Sequence, residues 1–232
     1  MRDDLVTLRP TLLSCRQIDD VDADLGRALC GDVFDAAKHR SLGLFTCDQD
    51  DSAYVALDEA SKHANVDVVF GKSFYAGAAH ASGPLSGEVM GIVAGSDPDE
   101  VAEALWVIKT FLAGRVAFQT LKGGKGPAFL AHVVGETGSY LSGVAGVVVG
   151  APIAYLIAPP IEAVVAVNAA LKASPVRLLQ FLKAPSETNF SGAYLAGELG
   201  DLQAAKDAFV DAIVAVAAQP LAAARRPDRL RR

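Results

Sequence analysis

The sequence predicts an α/β chain made of two tandem copies of one strand–helix–strand–loop–strand–helix unit. Three observations carry that expectation. Short runs rich in β-branched residues alternate with helix-length segments along most of the chain. A lysine near a helix end stands four residues before the valine that opens a strand, and this happens twice: Asp58-Glu-Ala-Ser-Lys62-His-Ala-Asn-Val66 and Asn168-Ala-Ala-Leu-Lys172-Ala-Ser-Pro-Val176. Leu85-Ser-Gly-Glu88 then matches Phe190-Ser-Gly-Ala193, and each copy closes with a helix, 98–112 and 201–218. A unit of about 105 residues is too small for a deep pocket but can build one sheet with helices on one face. Repeated units favour closed rings, so three chains would set six similar units around an axis. Packing of the two units as a closed monomer is the alternative.

The elements follow in order. Residues 5–18 read as a leading segment and a strand. Asp20 to Leu29 is a short amphipathic helix with Val21, Leu25 and Leu29 at helical spacing. Leu42 to Thr46 is a strand, and Cys47 to Asp51 is an acidic turn, because aspartates favour turns and helix starts. A helix from Tyr54 to Ala64 leads into a strand, Val66 to Phe70. Gly71 to Gly83 is a long loop of small residues with two adjacent aromatics, a length that is often functional. Leu85 to Ala94 is a strand whose one charge is Glu88. Ser96-Asp-Pro-Asp-Glu100 starts a helix with its cap, proline and acids in place. The second half repeats the order: strand 129–134, a short turn or helix within 135–146, strand material in 147–158, helix 161–172, strand 176–181, loop 182–189, strand 190–196 and helix 201–218.

Composition bounds the rest. Hydrophobic residues make up 51% of the 232 and charged residues 21%, which points to surface buried in an assembly. A formal charge of -6 offers nucleic acid no basic face. The three cysteines, Cys15, Cys30 and Cys47, form no CxxC pair and read as reduced, buried thiols of a cytosolic protein. The N-terminal Met-Arg-Asp-Asp-Leu lacks the apolar run of a signal peptide. No Asp, Glu, Lys or Arg falls between Glu136 and Glu162, but glycines and prolines cut that run into strand-length pieces, so buried sheet is expected there and no membrane span.

No catalytic constellation emerges. The four histidines, His39, His63, His80 and His132, lack zinc-ligand spacing, so neither a metal site nor a cofactor is expected. His132 on an apolar strand reads as a core or interface residue, and His80 as the histidine best placed to face a ligand. Leu121-Lys-Gly-Gly-Lys-Gly-Pro departs from Walker spacing and reads as an inter-domain linker. Asp50 and Asp51 in a turn and Glu88 in its apolar strand are the carboxylates able to hold a small ammonium, and an aromatic face would add cation–π attraction.

Several of these residues also carry a family resemblance. His39-Arg-Ser-Leu-Gly-Leu-Phe, Leu57-Asp-Glu-Ala-Ser-Lys62-His-Ala-Asn-Val66 and the Ile161-Glu-Ala to Lys172-Ala helix resemble bacterial microcompartment (BMC) domains. Ser73-Phe-Tyr-Ala-Gly-Ala-Ala, Thr137-Gly-Ser-Tyr-Leu-Ser, Ala158-Pro-Pro-Ile-Glu-Ala and Pro185-Ser-Glu-Thr-Asn-Phe are similar to the tandem-domain shell proteins of ethanolamine-utilization microcompartments. The resemblance runs from about Leu8 to Pro220 and leaves out the arginine-rich end.

It implies a non-enzymatic, structural shell protein of a cytoplasmic microcompartment: a flat homotrimer of two circularly permuted BMC domains per chain, 1–118 and 119–222, with a disordered basic tail, 223–232. Such a tile would meet other shell proteins at its edges and pass small metabolites such as ethanolamine through a gated central pore. Lys62 and Lys172 would be tile-edge lysines. Phe74, Tyr75 and His80 in one loop, and Pro185, Ser186, Glu187, Thr188 and Asn189 in the other, would line the pore. Asp50 or Asp51 with Glu88 and Phe118 would hold ethanolamine near a smaller opening. A small-ligand-binding regulatory trimer, a shell around another aldehyde-producing pathway and an enzyme with a site between subunits are the rival expectations.

Overall fold

Each half of the chain runs through the same eight strands and helices. The computed structural model describes residues 5–74, 83–121, 123, 126–184, 186 and 188–221. The first half contains β1 (Leu5–Leu8), β2 (Leu12–Ile18), α1 (Ala23–Cys30), β3 (Ser41–Cys47), α2 (Asp50–His63), β4 (Asp67–Ser73), β5 (Val89–Gly95) and α3 (Pro98–Gly114). The second contains β6 (Phe118–Leu121), β7 (Leu130–Val134), α4 (Ser139–Ala145), β8 (Ile153–Ala158), α5 (Pro160–Ala173), β9 (Arg177–Leu182), β10 (Ser191–Ala196) and α6 (Leu199–Ala218). The two antiparallel sheets have matching orders, β2-β3-β5-β4 and β7-β8-β10-β9. The strand that precedes each unit has left its own sheet: β1 and β6 pair with each other, Leu5 opposite Leu121 and Leu8 opposite Phe118.

Alternation along β8 places the core. Ala154, Leu156 and Ala158 pack with α5 and α6, whereas Ile153, Tyr155 and Ile157 join the core around α2 and α3. Strand β8 is therefore buried on both faces, which is why it is apolar throughout. In the first sheet, Phe45 and Cys47 face the helices α2 and α3, while Leu42 and Ile92 pack on Cys30 and Phe34. Cys30 and Cys47 are buried, Cys15 is half-buried, and all three are free.

Several boundaries differ from the sequence expectation, each for a local reason. Helix α2 starts at Asp50, four residues early, since acids in the first turn face the positive end of the helix dipole. Strand β4 continues through Gly71 to Ser73, paired with Gly91 to Val89, so the strand ends three residues later than the glycines suggest. Strand β5 begins at Val89, and Glu88 lies just before it. The chain turns there at Gly87, whose φ is 67° and whose Cβ, were it another residue, would lie 2.4 Å from the Cys47 carbonyl oxygen. Residues 147–152 do not extend β8, because Gly146 and Gly150 take positive φ values of 68° and 87°. Strand β6 is absent from the sequence reading. The proposed linker residues Lys122 and Lys125 and the basic tail lie outside the described residues.

The two halves are joined through one face of α2. Asp58, fully buried, accepts hydrogen bonds from the backbone N–H of Gly138 and of Leu141, both at 2.8 Å. Helix α4 has no side-chain cap of its own, so Asp58 satisfies its first-turn donors from another element. The Ser61 hydroxyl accepts from Ser139 N–H at 3.1 Å, and Tyr54 lies against Tyr140 with ring centroids 6.3 Å apart. The approach requires glycine at 138: a Cβ there would lie 2.3 Å from Ser61 Oγ.

Asp58→Ala leaves two buried N–H groups unpaired and should cost about 3 kcal/mol. Urea denaturation checks this; Asp58→Asn, which keeps one acceptor oxygen, should lose less.

Candidate functional site

Two cavities meet at the N-terminus of α2, with Thr188 bordering both. The first, about 240 Å³, gathers Asp50, Glu88 and Phe118. Asp50 sits in the first turn of α2; its Oδ1 accepts from the Asp51 N–H at 2.8 Å and its Oδ2 from the Ser73 hydroxyl at 3.0 Å. Burial pushes its carboxyl above the usual range and the Glu88 charge adds to that, while those two hydrogen bonds offset part of it. Glu88 is half-buried and held by its backbone: its N–H donates to the Cys47 carbonyl at 2.8 Å, and its carbonyl accepts from Phe74 N–H at 2.6 Å. Phe118, buried at the start of β6, packs on Phe190 with centroids 5.4 Å apart. Two carboxylates beside an aromatic wall suit a small organic cation.

Asp51 faces the other way, into a neighbouring cavity of about 220 Å³ lined by Tyr54, Tyr140, Tyr155 and Tyr194. The Tyr155 hydroxyl donates to Asp51 Oδ1. Burial and then the adjacent Asp50 hold the Asp51 carboxyl well above its ordinary value; hydrogen bonds from Tyr155 and Thr188 offset only part of this. Tyr155 is likewise held protonated by burial and by the Asp51 charge. Tyr155 lies directly opposite Tyr194 across β8 and β10, with ring centroids 4.6 Å apart. The sequence carries no local signal for this cluster, whose members come from α2, α4, β8 and β10.

The remaining expected residues are distributed as follows. Ser186 borders the tyrosine cavity, and Asn189 has a φ of 62°, a conformation that asparagine tolerates better than most residues. Phe74 directly follows β4 and is exposed. Tyr75, His80, Pro185 and Glu187 lie outside the described residues. Lys62 donates to the Glu136 carbonyl at 3.1 Å and pairs with Glu59, so its ammonium bonds a carbonyl of the chain's own second unit. Lys172 is exposed at the matching end of α5. Among the described residues no cluster of His, Cys, Asp and Glu could hold a metal ion, and no helix is long and apolar enough to cross a membrane.

Known proteins resemble this arrangement over nearly its whole length. The BMC domain family matches residues 41–137. The bacterial microcompartment shell protein EutL of Escherichia coli K12 is 45% identical over 215 residues, covering 92% of this chain and 96% of that protein. EutL of Clostridium perfringens strain 13 is 45% identical over 221 residues, 95% and 99% of the two chains. The crystal structure of ethanolamine utilization protein EutL from Leptotrichia buccalis superposes with a TM-score of 0.87 at 45% identity, covering 94% of this chain and 99% of that one. The trimeric shell protein PduB shares the fold at 19% identity, with a TM-score of 0.71 over 90% of this chain and 89% of that one. These relatives are shell proteins of bacterial microcompartments.

Because the folded state raises the pKa of Asp51, its burial is tolerated fully only below the pKa of the unfolded carboxyl, near 4, and opposes folding increasingly as pH rises toward the folded value. Asp51→Asn, which keeps an acceptor for Tyr155, should therefore resist urea better than the native protein at pH 7.5. The gain should shrink at pH 5.

Proposed function

The chain belongs to the EutL family of bacterial microcompartment shell proteins, and from that premise we propose that three copies close into one tile of an ethanolamine-utilization shell. Its role is structural. The observation that carries the trimer is an unmatched helix face. In the first unit, Asp51, Tyr54, Asp58 and Lys62 of α2 point at the second unit, where they meet Tyr155, Tyr140, the start of α4 and the Glu136 carbonyl. The equivalent stripe of α5, set by the repeated lysine, is Ile161, Val164, Asn168 and Lys172. Ile161 is 72% exposed and Val164 54%, and Asn168 and Lys172 are exposed as well. The first unit's counterpart of α4 is α1, whose Leu25 is 51% exposed where the matching Leu141 is fully buried. Docking α5 of one chain on α1 of the next would repeat the internal contact three times and close a ring. Burying Ile161 and Val164 would contribute about 1.5–3 kcal/mol each.

In this reading 1–118 and 119–222 are two permuted BMC domains, with 223–232 as a tail. Sheet topology supports it, since the two four-stranded orders match. The loops carrying Phe74, Tyr75 and His80, and Pro185 to Asn189, surround the central pore and gate it. Lys62 and Lys172 end their stripes at the rim; Lys62 is held by the Glu136 carbonyl of its own chain, whereas Lys172, at the exposed end of α5, reaches past the α1 contact to carbonyls of a neighbouring tile. The cavity of Asp50, Glu88 and Phe118 takes the ammonium of ethanolamine between its carboxylates, with the aromatic ring beside it.

Val164→Glu should shift the protein from three times the 24.1 kDa chain mass to one times, by light scattering, without changing its far-ultraviolet circular dichroism; a trimer unaffected by this change contradicts the interface. Lys172→Ala should leave the trimer mass intact and weaken lateral sheets in electron micrographs, and unchanged sheets contradict the rim assignment. Glu88→Gln should weaken ethanolamine binding about tenfold or more by calorimetry. Since Asp50 must be ionised to bind a cation and its pKa is raised, affinity should already fall in mildly acidic buffer, above the range where an ordinary aspartate protonates.

A further inference from the structure

A third cavity, about 280 Å³, lies away from the two at α2, where α3 ends beside β6, β7 and α6. Its lining includes Arg115, His132 and Lys206, brought together from three separate elements, with the Gln119 amide and the Thr7 hydroxyl as further donors. No Asp or Glu lines it. Neither the Arg115 guanidinium nor the Lys206 ammonium has an ion-pair partner among the described residues, in a chain whose formal charge is -6. Asp207, the residue after Lys206, accepts from Gln203 at 3.3 Å and stands outside the lining. Arg115 also borders a surface groove that contains Glu59 and Glu103, so Lys206 and His132 are the groups committed to this cavity.

We propose that this recess is a binding site for a small oxyanion, a phosphate or a carboxylate, held by Lys206 and Arg115 with His132 as a third donor. Cations collected in a half-enclosed recess without a carboxylate repel one another, and an anion of suitable size relieves that repulsion with charge-assisted hydrogen bonds. Nitrogen donors on a flexible lysine, a planar guanidinium and an imidazole suit an oxygen cluster, and the space accommodates a phosphate with its first waters. The state of His132 agrees. It lies edge-on to Phe111, with centroids 6.4 Å apart, and its pKa is lowered to about 4 by burial, then by Lys206 and by Lys62, with Glu59 opposing. A bound anion reverses the sign of its surroundings and must raise that pKa, by the same linkage that makes protonation favour the anion. The lining of this recess shares no residue with the cavity of Asp50, Glu88 and Phe118 or with the exposed stripe of α5.

The test follows the His132 imidazole by NMR in full-length protein with carbon-13-labelled histidine, titrating inorganic phosphate and, separately, acetate at constant ionic strength set with chloride. Saturable movement of the His132 signal with either anion, a rise of its pKa from about 4 and an affinity at least about tenfold weaker in Lys206→Gln are expected. The anion that saturates at the lower concentration identifies the class. If neither anion moves the signal more than chloride does, or if Lys206→Gln with Arg115→Gln responds as the native protein does, the proposal fails. The trimer mass of the variants, measured alongside, separates a lost site from a lost assembly.

Discussion

The face of α2 that meets the second unit is the constraint on which the rest of the structure depends. A 14-residue helix ordinarily buries one stripe on its own sheet and leaves the other to solvent. Here ten of its residues are buried, polar ones among them, because a second unit covers the outer stripe. Asp58 supplies the caps that α4 lacks, Tyr54 packs on Tyr140, and Lys62 reaches the Glu136 carbonyl. Charged and polar groups on that stripe are tolerated only because each is met by a donor, an acceptor or a ring from the other half. The strands β1 and β6 bind the same two units again from the opposite end of their sequences.

The same constraint explains why the two copies have diverged. In α2 the stripe is polar and specific because its partner is always present in the same chain. In α5 the stripe holds Ile161, Val164 and Asn168, and no described element covers it. In the proposed trimer, a fold that has resolved half of its repeated contact internally leaves the other half to a second molecule. The proposed ring would bury this stripe, in keeping with the high apolar fraction of the chain. The cavity of Asp50, Glu88 and Phe118 follows from that constraint too: Asp50 and Asp51 are adjacent, but the helix turns one toward Glu88 and Phe118 and the other toward Tyr155 in the second unit.

Much of this was legible in the sequence. The repeat around Lys62 and Lys172, the order of strands and helices, and the family resemblance were all carried by local patterns. The bringing together of Asp50, Glu88 and Phe118 was expected from that resemblance alone, since 68 residues separate the first of them from the last in the numbering of the chain. What escaped was long-range. Strand β6 has too few residues to announce itself, and its partner β1 lies at the other end of the first unit. The tyrosine cluster depends on the register of Tyr155 against Tyr194, which no single segment encodes. The start of α2 is ambiguous in the sequence because Asp50 and Asp51 serve a turn and a helix start equally well, and the extension of β4 because Gly71 reads as loop until its pairing partner is known.

The central claim is that the contact made by α2 within one chain is made by α5 between chains. Pairing Val164→Cys on α5 with Leu25→Cys on α1 tests it most directly, under mild oxidation followed by non-reducing electrophoresis. Covalent dimers and trimers of the double variant, absent from either single variant, are the predicted result. A double variant that oxidises without ever linking two chains, in a protein that scatters light as a monomer, would contradict the account.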